Sequence, residues 1–214
     1  MMERLCQIWP KLEPKKREDV AFFIVGHGIA VPPEWMDALK EKFPLSISFD
    51  LPQVPVTGWP HSTNVLWKTM AKMILEGKND IPFSDAILTT ETDIAPLSRN
   101  WLDRMLDEWR ESQADVMGCW QSYQYPHFNG NMMLKRYLMK LLVDESHPAP
   151  HVPWDLFAGP RLLAHPWKNS STILTFWREK TISRKFLEEL SKTSSIIHGV
   201  RDGSALDYAD SLVA

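Results

Sequence analysis

Two acids set two residues apart, Glu91 and Asp93, close the apolar run Ala86-Ile87-Leu88-Thr89 and precede the step Ile94-Ala95-Pro96-Leu97. In an extended segment the side chains of residues i and i+2 point the same way, so both carboxylates can aim at one point beyond the tip of a buried strand. In an α/β sheet that edge is where ligands bind. Carboxylate oxygens placed there suit Mg²⁺ or Mn²⁺, which keep several waters and take the rest of their shell from substrate phosphates. The same triplet also occurs as the solvated mouth of a strand-to-helix loop, and Glu-x-Asp by itself does not separate the two readings.

Stepping outward, the pattern around the acids is that of alternating strands and helices. Residues 1–19 are polar and basic around Lys15-Lys16-Arg17 and read as an irregular lead-in to a single domain over 20–214. The continuous apolar run 20–26, bounded by Gly26 and Gly28, predicts the first buried strand of a parallel sheet. Residues 33–43, opened by Pro32-Pro33, place Trp35, Met36, Leu39 and Phe43 on one helical face, and 45–51 alternate as a half-exposed strand. A Pro-rich loop at 52–64 leads to a helix over 64–76, with Ser62 or Thr63 able to cap it. After the acids, Ser98 opens a helix on which Trp101, Leu102, Met105, Leu106 and Trp109 recur at helical spacing. A strand at 115–120, a turn and strand at 123–134, a helix at 136–143 and a helical segment through Leu163 follow. Residues 168–172 form a polar break, 173–177 are short and apolar, 183–192 are amphipathic, and a last strand at 196–198 runs into a Gly-bounded loop. The fold class is therefore α/β, a Rossmann-like domain with a mostly parallel central sheet flanked by helices.

Composition bounds the function. The chain has 214 residues, 44% of them hydrophobic and 24% charged, enough to build one sizeable core. A net charge of −3 carries no polyelectrolyte signature, although a local basic patch stays open. The two cysteines, Cys6 and Cys119, are too few for a disulfide framework and have no zinc spacing. No apolar stretch is long enough to span a membrane, and the first sixteen residues hold no signal-like core, so the expected compartment is the cytoplasm. Ten tryptophans and sixteen prolines suit either a site that stacks ring substrates or simply a bulky core.

The apolar strand, acidic-x-Asp, apolar-Pro-apolar step and helix together resemble the Asp-x-Asp region of GT-A-fold glycosyltransferases, with Glu91 where the family carries Asp. That resemblance implies a divalent ion, Mn²⁺ or Mg²⁺, on the diphosphate of a nucleotide-sugar donor, held by Asp93 and Glu91. It extends along most of residues 20–204 through short motifs. His27, in the loop after the first strand, is implied beside the nucleotide base, and a plain tight turn is the alternative. Asn64 and Lys68 are implied in ribose or diphosphate contacts, and an exposed helix position is the alternative for Lys68. In His127-Phe128-Asn129-Gly130-Asn131 the resemblance places His127 and both asparagines at sugar hydroxyls, with Gly130 letting the backbone approach the sugar, and an ordinary loop-to-strand turn is the alternative. Asp155, at the start of its helix, is implied as the general base of an inverting enzyme, or else caps that helix. At the far end His198 is implied as the third metal ligand, which favours Mn²⁺ over Mg²⁺. Arg201, following it, is implied as a phosphate-binding guanidinium.

The activity expected from this resemblance is metal-dependent transfer of a sugar from a nucleotide-sugar to a hydroxyl acceptor, whether glycan, protein, small molecule or modified nucleobase. Two alternatives stand beside it. One is a catalytically silent module that binds sugar nucleotide or glycan. The other is a nucleotidyltransferase, disfavoured because Gly26-His27-Gly28 lacks the basic residue such a loop carries. Many family members of the Golgi type carry a membrane anchor, and its absence is expected of a bacterial, viral or otherwise cytosolic enzyme.

Overall fold

The computed structural model describes residues 1–28, 30–51, 59–77, 85–122, 126–144, 151–176 and 181–213. In chain order its elements are α1 (Met2–Leu12), β1 (Ala21–His27), α2 (Pro33–Lys40), β2 (Leu45–Leu51), α3 (His61–Leu75), β3 (Ala86–Thr89), β4 (Ile94–Pro96), α4 (Trp101–Ser112), β5 (Val116–Gln121), β6 (His127–Lys135), α5 (Arg136–Asp144), α6 (Trp154–Leu162), β7 (Trp167–Asn169), β8 (Ile173–Thr175), α7 (Arg184–Ser191), β9 (Ile196–His198) and α8 (Ser204–Ser211). Most of the Pro-rich loop, residues 52–58, lies outside the described residues, as do 123–125 before β6 and 145–150 before α6.

The chain is α/β, but the central sheet is mixed rather than mostly parallel. Its strand order is β3-β6-β5-β7. β6 runs antiparallel to both β3 and β5, and only β7 is parallel to β5. The physical reason is connection length: the few residues between Gln121 and His127 can return the chain only as an antiparallel neighbour, since a parallel pair needs a crossover of a dozen residues or more. Such a crossover exists at α2, and there β1 and β2 do pair in parallel, Ala21 against Leu45 through His27 against Leu51. A third sheet, β4-β9-β8, holds β9 antiparallel to β4 and parallel to β8.

Period-two alternation gives the central strands two buried faces. Met117 and Met133 face a core built with α1, α2, α4, α8 and the β4-β9-β8 sheet. Val116, Phe128, Met132 and Leu134 face a second core under α3, α5 and α6. The first core includes Leu5, Ile8, Trp9 and Leu12 of α1, so the expected irregular lead-in over 1–19 is corrected to an amphipathic helix followed by a short link. Other local expectations shift too. α4 starts at Trp101 after Asn100, which adopts a left-handed conformation, and Ser98 instead accepts from Arg104. The Ile94-Ala95-Pro96 step is strand β4, the polar break at 168–172 contributes the exposed edge strand β7, and the Gly203-Ser204 loop opens helix α8. Both cysteines are free, and burial pushes the Cys6 thiol up to about 11.

Candidate metal centre

Two strand ladders deliver the candidate ligands to one place. β3 ends at Thr89, opposite Met132 of β6, and the chain then turns through Glu91 and Asp93 before entering β4 at Ile94. Because residues 92 and 93 form a turn, the two carboxylates do not converge by strand pleating, as the i, i+2 argument had it, but by the bend that joins the two sheets. β4 then pairs with β9 so that Ile94 lies opposite His198, and Gly199 N–H donates to the Asp93 carbonyl at 3.0 Å. The register of a three-residue ladder therefore sets His198 beside Asp93 although 105 positions separate them in the chain.

His198 Nε2 lies 2.8 Å from Glu91 Oε2 and 2.8 Å from Asp93 Oδ1. One ligand atom from each of the three residues falls within 4.8 Å of the others. Arg201 Nε donates to Asp93 Oδ2 at 3.0 Å. His198 is fully buried, and burial alone would pull its imidazole down, but the hydrogen bonds and charges of Asp93 and Glu91 outweigh it and push the group up to about 9. Burial alone would raise Asp93, yet His198 first and Arg201 next hold it at about 2. The donor set of two carboxylates and one imidazole could hold a metal ion, provided that His198 gives up its proton when the ion enters.

Around this cluster lie more of the expected residues. A Cβ on Gly130 would come 2.7 Å from Glu91 Oε1 and 3.4 Å from Trp154 Cζ2, so Glu91, Gly130 and the start of α6 meet directly. Asp155, next to Trp154, lies 3.9 Å from His127 through Oδ2 and Nε2. Its carboxyl is raised above the usual range by burial, with the Glu91 charge adding to the shift and His127 opposing it. The cap position of α6 is Pro153, so Asp155 sits inside the first turn, where its Oδ1 accepts from Leu156 N–H at 2.9 Å, and it is not the helix cap.

Asn129 is fully buried. Its Oδ1 accepts from Asn131 Nδ2 at 2.7 Å, and its Nδ2 has no hydrogen-bond partner among the described residues. Asn64 donates Nδ2 to Val152 O at 2.8 Å, tying α3 to the segment that enters α6, while its buried Oδ1 lacks a partner among the described residues. Lys68 is half-buried one turn further along α3, on the Asn64 face. His27 closes β1 opposite Leu51, in a different sheet from the strands that carry the acids, and Gly28 beyond it has φ 67° and bonds to Leu51 O.

Two contacts escaped sequence reasoning: Asn131 Oδ1, expected at a sugar hydroxyl, accepts the Glu91 N–H at 2.8 Å, and Trp67 stacks on Trp154 with centroids 4.5 Å apart. Alternation along β6 points Asn131 the same way as Asn129, but only the β3–β6 register brings it to Glu91. No known protein family, no curated protein and no solved structure matches the chain. No helix among the described residues is long and apolar enough to cross a membrane.

Proposed function

We propose that the chain is a metal-dependent glycosyltransferase that moves a sugar from a nucleotide-sugar donor to a hydroxyl acceptor. The observation that carries this reading is the convergence of Glu91, Asp93 and His198, with ligand atoms within 4.8 Å of one another, beside a buried carboxyl at Asp155. Asp93, Glu91 and His198 would hold Mn²⁺ or Mg²⁺. When bound, such an ion neutralises charge on the departing diphosphate. Arg201 and Lys68 add positive charge toward the same phosphates, and His27 and Asn64 serve the nucleoside side. His127 borders the space for the donor sugar. The raised Asp155 carboxylate is suited to take the acceptor hydroxyl proton as that oxygen attacks the anomeric carbon and the nucleoside diphosphate leaves, which gives inversion. In a retaining reaction Asp155 positions the acceptor instead.

A second reading has its own observation. His198 bonds both acids, and Arg201 bonds one of them, so an imidazolium and a guanidinium already balance the two carboxylates. That arrangement is self-sufficient without an ion and suits a silent sugar-nucleotide or glycan-binding module.

Thermal melts with Mn²⁺ and a panel of nucleotide-sugars separate the two. One donor should stabilise the fold in a Mn²⁺-dependent way, by about 2.7 kcal/mol at a hundredfold excess over Kd, which raises Tm by roughly 2–4 °C for each kcal/mol at this chain length. Asp93→Ala and His198→Ala should each remove the shift. If Mn²⁺ neither shifts Tm nor produces heat in titration calorimetry, the enzymatic reading falls and the ion-pair reading stands.

A further inference from the structure

Glu91 is gripped at both ends by one turn of strand β6. Its backbone N–H donates to Asn131 Oδ1 at 2.8 Å, and Asn131 in turn is held through its own N–H and its Nδ2, which donate to Asn129 Oδ1 at 3.2 and 2.7 Å. Thr89, two residues before Glu91, donates its hydroxyl to Gly130 O at 2.7 Å and so pins the strand end to the same turn. The carboxylate lies over Gly130, where a Cβ would stand 2.7 Å from Oε1 and 3.3 Å from Cδ. Real Cβ atoms do not approach an oxygen that closely, so residue 130 must lack a side chain for Glu91 to lie as it does.

We propose that Gly130 and Asn131 are positioning residues for Glu91, and that glycine at 130 is the steric partner of a glutamate, rather than an aspartate, at 91. This changes the expected role of the Asn129-Gly130-Asn131 turn from contacting a sugar to seating a ligand of the metal centre, and it rests on the reading of Glu91, Asp93 and His198 as that centre. A glutamate carries one methylene more than aspartate, and the room for its carboxylate is the volume that a Cβ at 130 would fill. The atom in the way is the end of a flexible side chain, not backbone, so alanine at 130 should cost little folding stability and should instead swing the carboxylate away. Oε1 cannot move without moving Oε2, which makes the 2.8 Å contact with His198.

The test is a double-mutant cycle on the full chain, Gly130→Ala, Glu91→Asp and the pair, read by Mn²⁺ affinity from the free-ion electron paramagnetic resonance signal, with thermal melts to check folding. Gly130→Ala should weaken Mn²⁺ binding by about 10–100-fold, the range for losing support of a ligand, with Tm close to that of the parent. In the Glu91→Asp background the same alanine should add no further loss, because the shorter carboxylate leaves the space free. Equal losses in the two backgrounds, or full affinity in Gly130→Ala, would overturn the pairing. A crystal structure of metal-free Gly130→Ala tests the same idea without the ion: the Glu91–His198 contact should be broken, and its retention at 2.8 Å would refute the steric argument. If the parent chain binds no Mn²⁺ yet the contact breaks in the variant, the metal reading fails and the seating of Glu91 by Gly130 survives.

Discussion

Asp93 and Asp155 show how one residue type takes two characters from its surroundings. Asp93, bonded to His198 and Arg201, is held at about 2 and stays ionised, as a ligand must. Asp155, buried and sharing its space with the Glu91 charge, is raised, as a proton acceptor should be. Asp155→Asn should therefore leave Mn²⁺ affinity within about threefold and reduce turnover of an inverting reaction by about 10²–10⁴. Steady-state kinetics beside metal titration measures both, and equal losses in affinity and turnover would assign Asp155 to the ligand shell instead. At this scale residue type and spacing singled out Glu91 and Asp93, the family resemblance added His198, and the structure brings the three together. For Asn131 residue type pointed to a hydrogen bond with a sugar hydroxyl, and only the ladder opposite it fixes which backbone N–H it meets. Gly130 signalled a close approach, and the group that approaches it in the structure is the Glu91 carboxylate, since a glycine announces that something comes close but not what.

Among the elements, helix α4 holds the link between β7 and β8 through one side chain. Glu108 accepts from Ser170 Oγ at 2.7 Å, from Ser171 N–H and Oγ at 2.8 and 2.9 Å, and from Thr172 N–H at 3.1 Å. Burial alone would raise Glu108, but these bonds, led by the Ser171 N–H, hold it below its usual value. A depressed carboxylate contributes stability above its unfolded pKa, about 4.3, and that contribution is lost as pH falls through the lower folded value. Urea unfolding should show Glu108→Gln losing about 1–3 kcal/mol at pH 7, with the gap to the parent closing as pH drops below about 4. A gap that persists at low pH would show that the charge is not what holds the link. Periodicity made α2, α3, α4, α5 and α7 legible to within a few residues, because each buries an apolar stripe. The same signal is present in α1, where Leu5, Ile8, Trp9 and Leu12 stand at i, i+3, i+4 and i+7, but the polar and basic run around Lys15-Lys16-Arg17 outweighed it in the expected irregular lead-in. Strands β4 and β7, three residues each, are too short to show any period.

For the whole molecule, Arg17 joins segments far apart in sequence. Only 1% exposed, it donates to Glu13 at 3.4 Å, to Asp19 at 3.0 Å and to Asp103 of α4 at 2.6 Å, while its N–H bonds Lys42 O after α2. Glu13 also accepts the Leu102 N–H at 3.3 Å in the first turn of α4, and burial raises its carboxyl. Arg17→Ala would strand that buried acid, so the loss of stability should be about 3–5 kcal/mol by denaturant unfolding. A loss below about 1 kcal/mol, the scale of ordinary surface changes, would mean that water replaces the guanidinium there. The class of fold was legible because strand and helix patterns alternate; the mixed sheet was not, because strand direction depends on which neighbour each strand chooses.

The bend carrying Glu91 and Asp93 leaves one sheet and enters another, and His198 belongs to the second. Glu91 is thus anchored to β6 while its counterpart rides on β9, and the distance between them is a gauge of how the two sheets lie against each other. A gripped ion would act as a rivet across that seam, stiffening the bond between the two sheets that share the first core. Conversely, any substitution that loosens the packing of α8 against β4 would be felt as a slackened grip at the rivet, without touching a single ligand.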